Sequence, residues 1–516
     1  MAANPVVEIL RDGQVLANGT IVPTLIGQEQ VITFRFDNQS NGASGSSVGY
    51  APYLDILLPR NGADGSGIGD TPANDGISFI AATYLGQPVS ATVLEFDAQG
   101  HAAHPFAKQA DGSALVVTGT PGDALLVLNL PFGSFTDPQT PADIAVRLGV
   151  SGGADLGIPL NLSATGGFAY GRDPLNNPSV DSPVRGPTAT VSLDPQIAQV
   201  DVVYVGPEQE TATGPSYPHS WLVQGLIAPG QSLTGFTLSD DLPDGIVLLG
   251  ASIVNGTGTV TVSADGRHVS AQFDGTVTGG GAPPTLRIDY YVGATLTDGS
   301  PVLDPATGAF RVMRDQAQLS GTWTPSDARD PVTLVALDPA GPEDVITAKS
   351  IAVQKYVSVV DAAEPGGHLQ WRLEGQVSNY FEVDQLLLTD SLGDGQHFDG
   401  GFQPILTVRE NGVTVYSGAM TQYTVARDAV TGVSTLRFDV SAELRAHGLD
   451  DALQGGGAGN PNPATAVVSF RSVVERAWTG PVPADGLVDQ GDLLDNSVVF
   501  SGQVAVTDRP LSLIHI

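Results

Sequence analysis

With 516 residues, 41% of them hydrophobic, the chain is too long for one ordinary core and apolar enough for about three or four. Its formal net charge of −33, with only three lysines (Lys108, Lys349 and Lys355), makes phosphate backbones and anionic lipid poor partners. The absence of cysteine removes disulfides, thiolate nucleophiles and Cys-based metal sites, while 63 Gly and 37 Pro favour turns over helices.

The opening MAANPVVEILRDG lacks the basic and apolar regions of a secretory signal, and no stretch reaches the length of a membrane-spanning helix. Val6–Leu10 reads as a strand running into an Asp12-Gly13 turn. Gln30–Phe36 then alternates, with Ile32, Phe34 and Phe36 on one face and Val31, Thr33 and Arg35 on the other. A Ser/Gly/Asn loop spans 38–49, and Leu54–Pro59 enters an Asp-Gly corner at 61–65. Further strands are expected at Ser90–Phe96, Ala114–Thr118, Leu125–Leu130, Ile144–Val150 and Leu160–Ala164.

The strongest organising signal is internal repetition. Trp221–Gly245 and Trp371–Gly395 align without a gap, with seven of 25 positions identical, each closing a strand-like run with an Asp and a Gly-rich turn. Arg185–Pro195 and Arg329–Pro339 share six of 11 positions and precede the two copies, so they read as equivalent proline-stiffened joints. Asp315–Gly321 and Asp495–Gly502 close the two units, with Gln316 aligned to Asn496. The domains expected are 1–192, a divergent module; 193–336 and 337–510, two repeat modules; and 511–516, whose LSLIHI resembles translated adapter read-through on a fragment of a larger protein. One short helix is expected after Ser441 as N-cap, ending at Gly448. Many short strands with regular turns make the fold class all-β, a tandem of immunoglobulin-like β-sandwich modules.

The strand, the Asp-x-Leu-Pro-Asp-Gly corner and the closing Asn-Ser-Val-Val strand resemble the immunoglobulin-like repeats of large bacterial surface proteins. They are also similar to the isopeptide-forming domains of fimbrial subunits and adhesins. Module two keeps the Pro but lacks the Asn, and module three has the Asn but Gly393 in place of the Pro. The resemblance implies an extracellular or cell-surface stalk.

It also points to a Lys–Asn isopeptide in module three. Such a bond needs a Lys whose amine is neutral through burial and a carboxyl group that relays the proton. Lys355 shares a strand face with Ile351, Val353, Val357 and Val359, and Asn496 shares parity with Val498 and Phe500. The candidate acids are Glu374, Asp384 and Asp390; Glu374 has parity opposite to Trp371, and Asp390 reads as a turn residue because Asp240 repeats it in a module without a Lys. The plainer alternative is a Lys stem lying on apolar surface beside a turn Asn.

Asp64, Asp70 and Asp75 offer a calcium its oxygen ligands in one loop, and Asp390, Asp394 and Asp399 form a second acidic group; solvated turn carboxylates are the commoner explanation of both. Gly45–Gly49 satisfies Gly-x-Ser-x-Gly without the strand–helix context of a nucleophile, and His101 and His104 read as loop residues. The expectation is therefore a non-catalytic stalk in contact with neighbouring modules of a larger chain and without membrane insertion. The alternatives are a module that binds carbohydrate or a host protein, and an accessory region of a secreted hydrolase.

Overall fold

The computed structural model describes residues 3–515 apart from 40–47, 63–74, 110, 138, 172–182, 207–210, 308, 326–328, 340–343, 362, 481–485, 489–492 and 508. Strands dominate, in three successive pairs of facing sheets, and the alternation of apolar and polar residues along each strand decides which side meets the core.

In module one, one sheet centres on Pro5–Arg11, Glu29–Asn38, Ala142–Val150 and Ile77–Tyr84; the other on Val184–Gln196, Leu160–Tyr170, Val48–Leu58 and Ala124–Asn129. Phe36 and Phe168 meet edge-on between them with ring centroids 5.5 Å apart. Module two repeats the order. Ala198–Tyr204, His219–Ile227, Thr285–Val292 and Ile246–Asn255 face His268–Phe273, Ser232–Asp241, Ala317–Trp323 and Val332–Leu337. Module three does so again, with Ile351–Val359, His368–Val377, Ala464–Val474 and Ile405–Glu410 opposite Ser434–Asp439, Val383–Leu392, Asn496–Val504 and Arg509–His515. The backbone of 511–515, in the tail expected to be artefactual, thus belongs to a paired edge strand.

The repeated Trp and Gly each have a packing reason. Trp221 lies opposite Ile288 and Trp371 opposite Phe470, both buried in the second strand of their modules. The Gly four residues on makes room for a ring from the facing sheet: a Cβ on Gly225 would stand 2.4 Å from Phe236, and one on Gly375 would stand 2.8 Å from Phe500. Gly245 and Gly395 adopt φ of +98° and +80°, the left-handed backbone that closes both corners.

The segments read as joints are strands. Val184–Gln196 pairs with Leu160–Tyr170 on one side and Thr20–Leu25 on the other, and Pro187 sits where the ladder skips between Thr165 and Gly167, a bulge that tolerates a missing N–H. Only Ile197 separates this strand from Ala198–Tyr204, which leaves little slack between modules one and two. Arg329 adds a second tie, donating to the carbonyls of Ala154 and Gly152 at 3.0 and 2.9 Å. Modules two and three interlock through buried Tyr217, whose hydroxyl donates to the Asn462 carbonyl at 3.0 Å, and through Ala212 N–H donating to Gln376 Oε1 at 3.0 Å.

The helix is Val440–Ala446, capped by Asp439, whose carboxylate accepts from Ala442 N–H; Ser441 lies inside the first turn and its hydroxyl donates to the Asp451 carbonyl. A strand leading straight into a helix put two cap-forming residues, Asp439 and Ser441, on either side of Val440 at the junction, and the residue with extended backbone took the role. Among the described residues no helix is long and apolar enough to cross a membrane.

The close approach at the repeated Gly gives a test. Gly225→Ala and Gly375→Ala should each destabilise their module by about 1–3 kcal/mol through overpacking. Urea unfolding reads this, and two neutral substitutions would contradict the packing role.

Candidate functional site

Module three brings three buried polar side chains together between its sheets. Lys355 lies on Ile351–Val359, opposite Leu373 of the neighbouring strand. The apolar face expected along the whole strand ends there, because Val357 and Val359 are each 55% exposed, so Lys355 sits at the margin of the core. Its side chain is nevertheless only 5% exposed, and Asp390 on the facing sheet is fully buried. Nζ donates to Asp390 Oδ2 at 2.5 Å and stands 4.8 Å above the centre of the Trp371 ring, which is held by Nε1 donating to Ser472 Oγ.

Register supplies the third member. Val383–Leu392 runs beside Asn496–Val504 with Asp390 opposite Val498 and Leu392 opposite Asn496. Residues two apart share a face, so Asp390 and Asn496 point into the same space as Leu388 and Phe500. Asn496 is close enough to Asp390 to hold its pKa down, yet its buried Nδ2 and Oδ1 lack a full hydrogen-bond partner, as does Asp390 Oδ1.

Burial moves both ionisable groups toward their neutral forms. Burial pushes the Asp390 carboxyl up to about 6, against the opposing pull of Lys355 and then Asn496. Burial likewise lowers the Lys355 ammonium, partly offset by Asp390. Passing one proton from Nζ to Oδ2 leaves a free amine and an acid beside an unsatisfied carboxamide, the components of an amide exchange.

The other candidate acids lie elsewhere. Glu374 projects from the opposite side of its strand, paired with Arg372 and accepting from Gln376 Nε2 at 3.2 Å. Asp384 stands at the far end of Val383–Leu392, beyond a bulge. Asp390 was expected in a turn, but the strand extends through Leu392, and the same holds for Asp240 in Ser232–Asp241. The counterpart of Asn496 also changes: Asp240 lies opposite Ala317 as Asp390 lies opposite Val498, which puts Asp315, not Gln316, in the place of Asn496. The one extra residue in module three lies before the strand, where an ungapped sequence match misplaces it.

Asp64 and Asp70 lie outside the described residues, and Asp75 is buried. Asp394 accepts from the N–H groups of Thr479 and Gly480 and Asp399 from that of Gly401, so these two are turn ligands that do not converge with Asp390. Among the described residues no group of three His, Asp or Glu side chains could hold a metal ion. The Gly-x-Ser-x-Gly run lies mostly outside the described residues.

His101 and His104 lie on the strand His101–Lys108, whose small residues pair with Ala114–Thr118 in a ribbon over module one. His104 is buried beneath it, accepting from Ala107 N–H at Nδ1 and placing Nε2 3.2 Å from Asp55 Oδ1. Arg185 donates to the other Asp55 oxygen at 2.9 Å. The sequence signal for this cluster was Asp55 itself, a carboxylate inside an apolar strand.

No family model matches the chain, and no curated protein matches it. Among solved structures it is similar to the C-terminal domain of the AgI/II polypeptide BspA of Streptococcus agalactiae, at 9% identity and a TM-score of 0.20, covering 64% of this chain and 99% of that one. It is also similar to the Enterococcus faecalis MSCRAMM ACE, which binds its ligands by the collagen hug model, at 12% identity and a TM-score of 0.18, over 61% and 93% of the two chains. A third is the 35 kDa C-terminal fragment of the major pilin GBS80 of Streptococcus agalactiae, at 10% identity and a TM-score of 0.21, over 62% and 91%. At these values the functional reading rests on the chain's own geometry.

The module-one cluster offers a direct test of burial. Asp55→Ala removes the acceptor of Arg185 and the carboxylate facing His104 and should cost roughly 3–5 kcal/mol in urea unfolding. A loss below about 1 kcal/mol, typical of an exposed pair, would contradict the burial described.

Proposed function

We propose that the chain is a non-catalytic, load-bearing segment of a bacterial cell-surface or secreted adhesin-like protein, with module three closed by an isopeptide bond between Lys355 and Asn496. The observation that carries this reading is the buried Lys355–Asp390 pair beside the unsatisfied Asn496 carboxamide. Asp390 takes one proton from the Lys355 ammonium; Nζ attacks Cγ of Asn496; the Cγ–Nδ2 bond breaks; and a second Nζ proton leaves with Nδ2 as ammonia. The new Nζ–Cγ amide is neutral, and Asp390 remains a neutral acid.

The placement suits a tether under tension. Lys355 lies in the first long strand of the module and Asn496 in the strand before its last, on opposite sheets. A bond between them passes force from one sheet to the other without drawing out the intervening chain. The single-residue link after module one and the buried Tyr217 between modules two and three support the same role. A carbohydrate platform is not favoured in module one, where none of the described Phe and Tyr side chains is exposed.

Intact-mass measurement of the full chain tests the bond. The expected mass is about 17 Da below that of the sequence, the mass of one ammonia. Lys355→Ala, Asn496→Ala and Asp390→Ala should each restore the full sequence mass, whereas Glu374→Gln should retain the loss. A full mass for the unsubstituted chain would remove the cross-link from this account.

A further inference from the structure

Module two carries a different polar group at the same point of the fold. Val202 lies opposite Val223 as Lys355 lies opposite Leu373, so an apolar side chain takes the place of the Lys. Asp240 corresponds to Asp390 and Asp315 to Asn496. The residue that is an amide in module three is thus a second carboxyl in module two. Asp240 is 1% and Asp315 6% exposed; their side chains approach as a hydrogen-bonding pair, no other side chain pairs with their oxygens, and the Gln316 N–H acts on Asp315 against the rise in its pKa.

Two carboxylates cannot both stay charged in contact within a core, and a single proton shared between them satisfies both. We infer that Asp240 and Asp315 form a built proton-binding site, a proton-bridged clasp between neighbouring strands that makes module two hold most tightly in acid and loosen as the pH rises.

The surroundings agree. The groups acting on Asp240 besides Asp315 are Asp241 and His268, an exposed pair 2.7 Å apart. Asp315 also feels Asp344, whose carbonyl accepts from Asp315 N–H at 2.8 Å. From the facing sheet comes Tyr290, whose buried hydroxyl has no partner and whose ring stacks on Trp221 at 4.0 Å. Burial raises both carboxyl pKa values, and for Asp315 the charge of Asp240 raises it further. A carboxyl whose folded pKa lies above its unfolded one gives full stability below the unfolded value, and that stability is lost as pH rises through the folded value.

The test uses the full chain. Hydrogen exchange in Ser232–Asp241 and Ala317–Trp323, corrected for intrinsic rates, should show the opening equilibrium of module two rising about tenfold per pH unit above the ordinary carboxylate range, one proton being released on opening. Asp315→Asn, which places an amide where module three has Asn496, should flatten that dependence and protect these strands better in mild alkali. Infrared spectroscopy of the unsubstituted chain at neutral pH should show a protonated-carboxyl band that diminishes in Asp315→Asn, a readout that holds even if the variant is poorly stable. A flat pH dependence in the unsubstituted chain, a band unchanged by the substitution, or a band abolished by added calcium (a cation in place of the proton) would each overturn the inference. The exchange in module two and the change of the band on Asp315→Asn do not depend on a cross-link in module three, whose Asp390 contributes equally to both chains.

Discussion

A polar side chain that faces the inside of a two-sheet sandwich has no water to turn to, so its partner must come from the neighbouring strand or the facing sheet. That constraint fixes what stands at one point in modules two and three. Asp240 and Asp390 occupy the same inward position on equivalent strands, and each burial has to be answered. Module three answers with a cation from the facing sheet and a neighbouring amide, Lys355 and Asn496. Module two puts Val202 where the cation would be and answers with a second acid, Asp315. Module one keeps its interior apolar around Phe34, Phe36, Leu54 and Ile56 and moves its buried carboxylate, Asp55, to the outer face of the sheet, where the ribbon over it contributes His104.

Much of the architecture was legible because it depends on period and turn chemistry. Trp221 and Trp371 marked equivalent strands, and their inward packing is what alternation requires. Lys355 and Asn496 could be placed on apolar faces by parity alone. The acid could not: Asp390 ends a hydrophobic run before a Gly-rich corner, where Asp ordinarily binds turn N–H groups, and only the ladder through Leu392 shows it still inside the strand. The match of Asp315 with Asn496 was hidden by one inserted residue, since register follows hydrogen bonding and not sequence spacing. The joints failed for a related reason: proline reads as a strand breaker, yet Pro187 sits at a bulge where no ladder hydrogen bond is lost.

The direction of force joins these observations to a role. The closing strand of module one passes through a single residue into the opening strand of module two, so tension applied along the chain would enter one sheet of each module and leave from the other. Whatever ties the two sheets then decides how far a module stretches. A covalent tie from Lys355 to Asn496 would bear load at any pH once formed, whereas side-chain packing and a shared proton yield reversibly. Modules of one topology would thereby differ in how they give way.

The central claim is the covalent tie, and protease digestion with peptide sequencing by mass spectrometry tests it most directly. The account predicts a branched peptide in which the segment bearing Lys355 is joined through Nζ to the segment bearing Asn496. Recovery of both segments only as separate, unmodified linear peptides would contradict it.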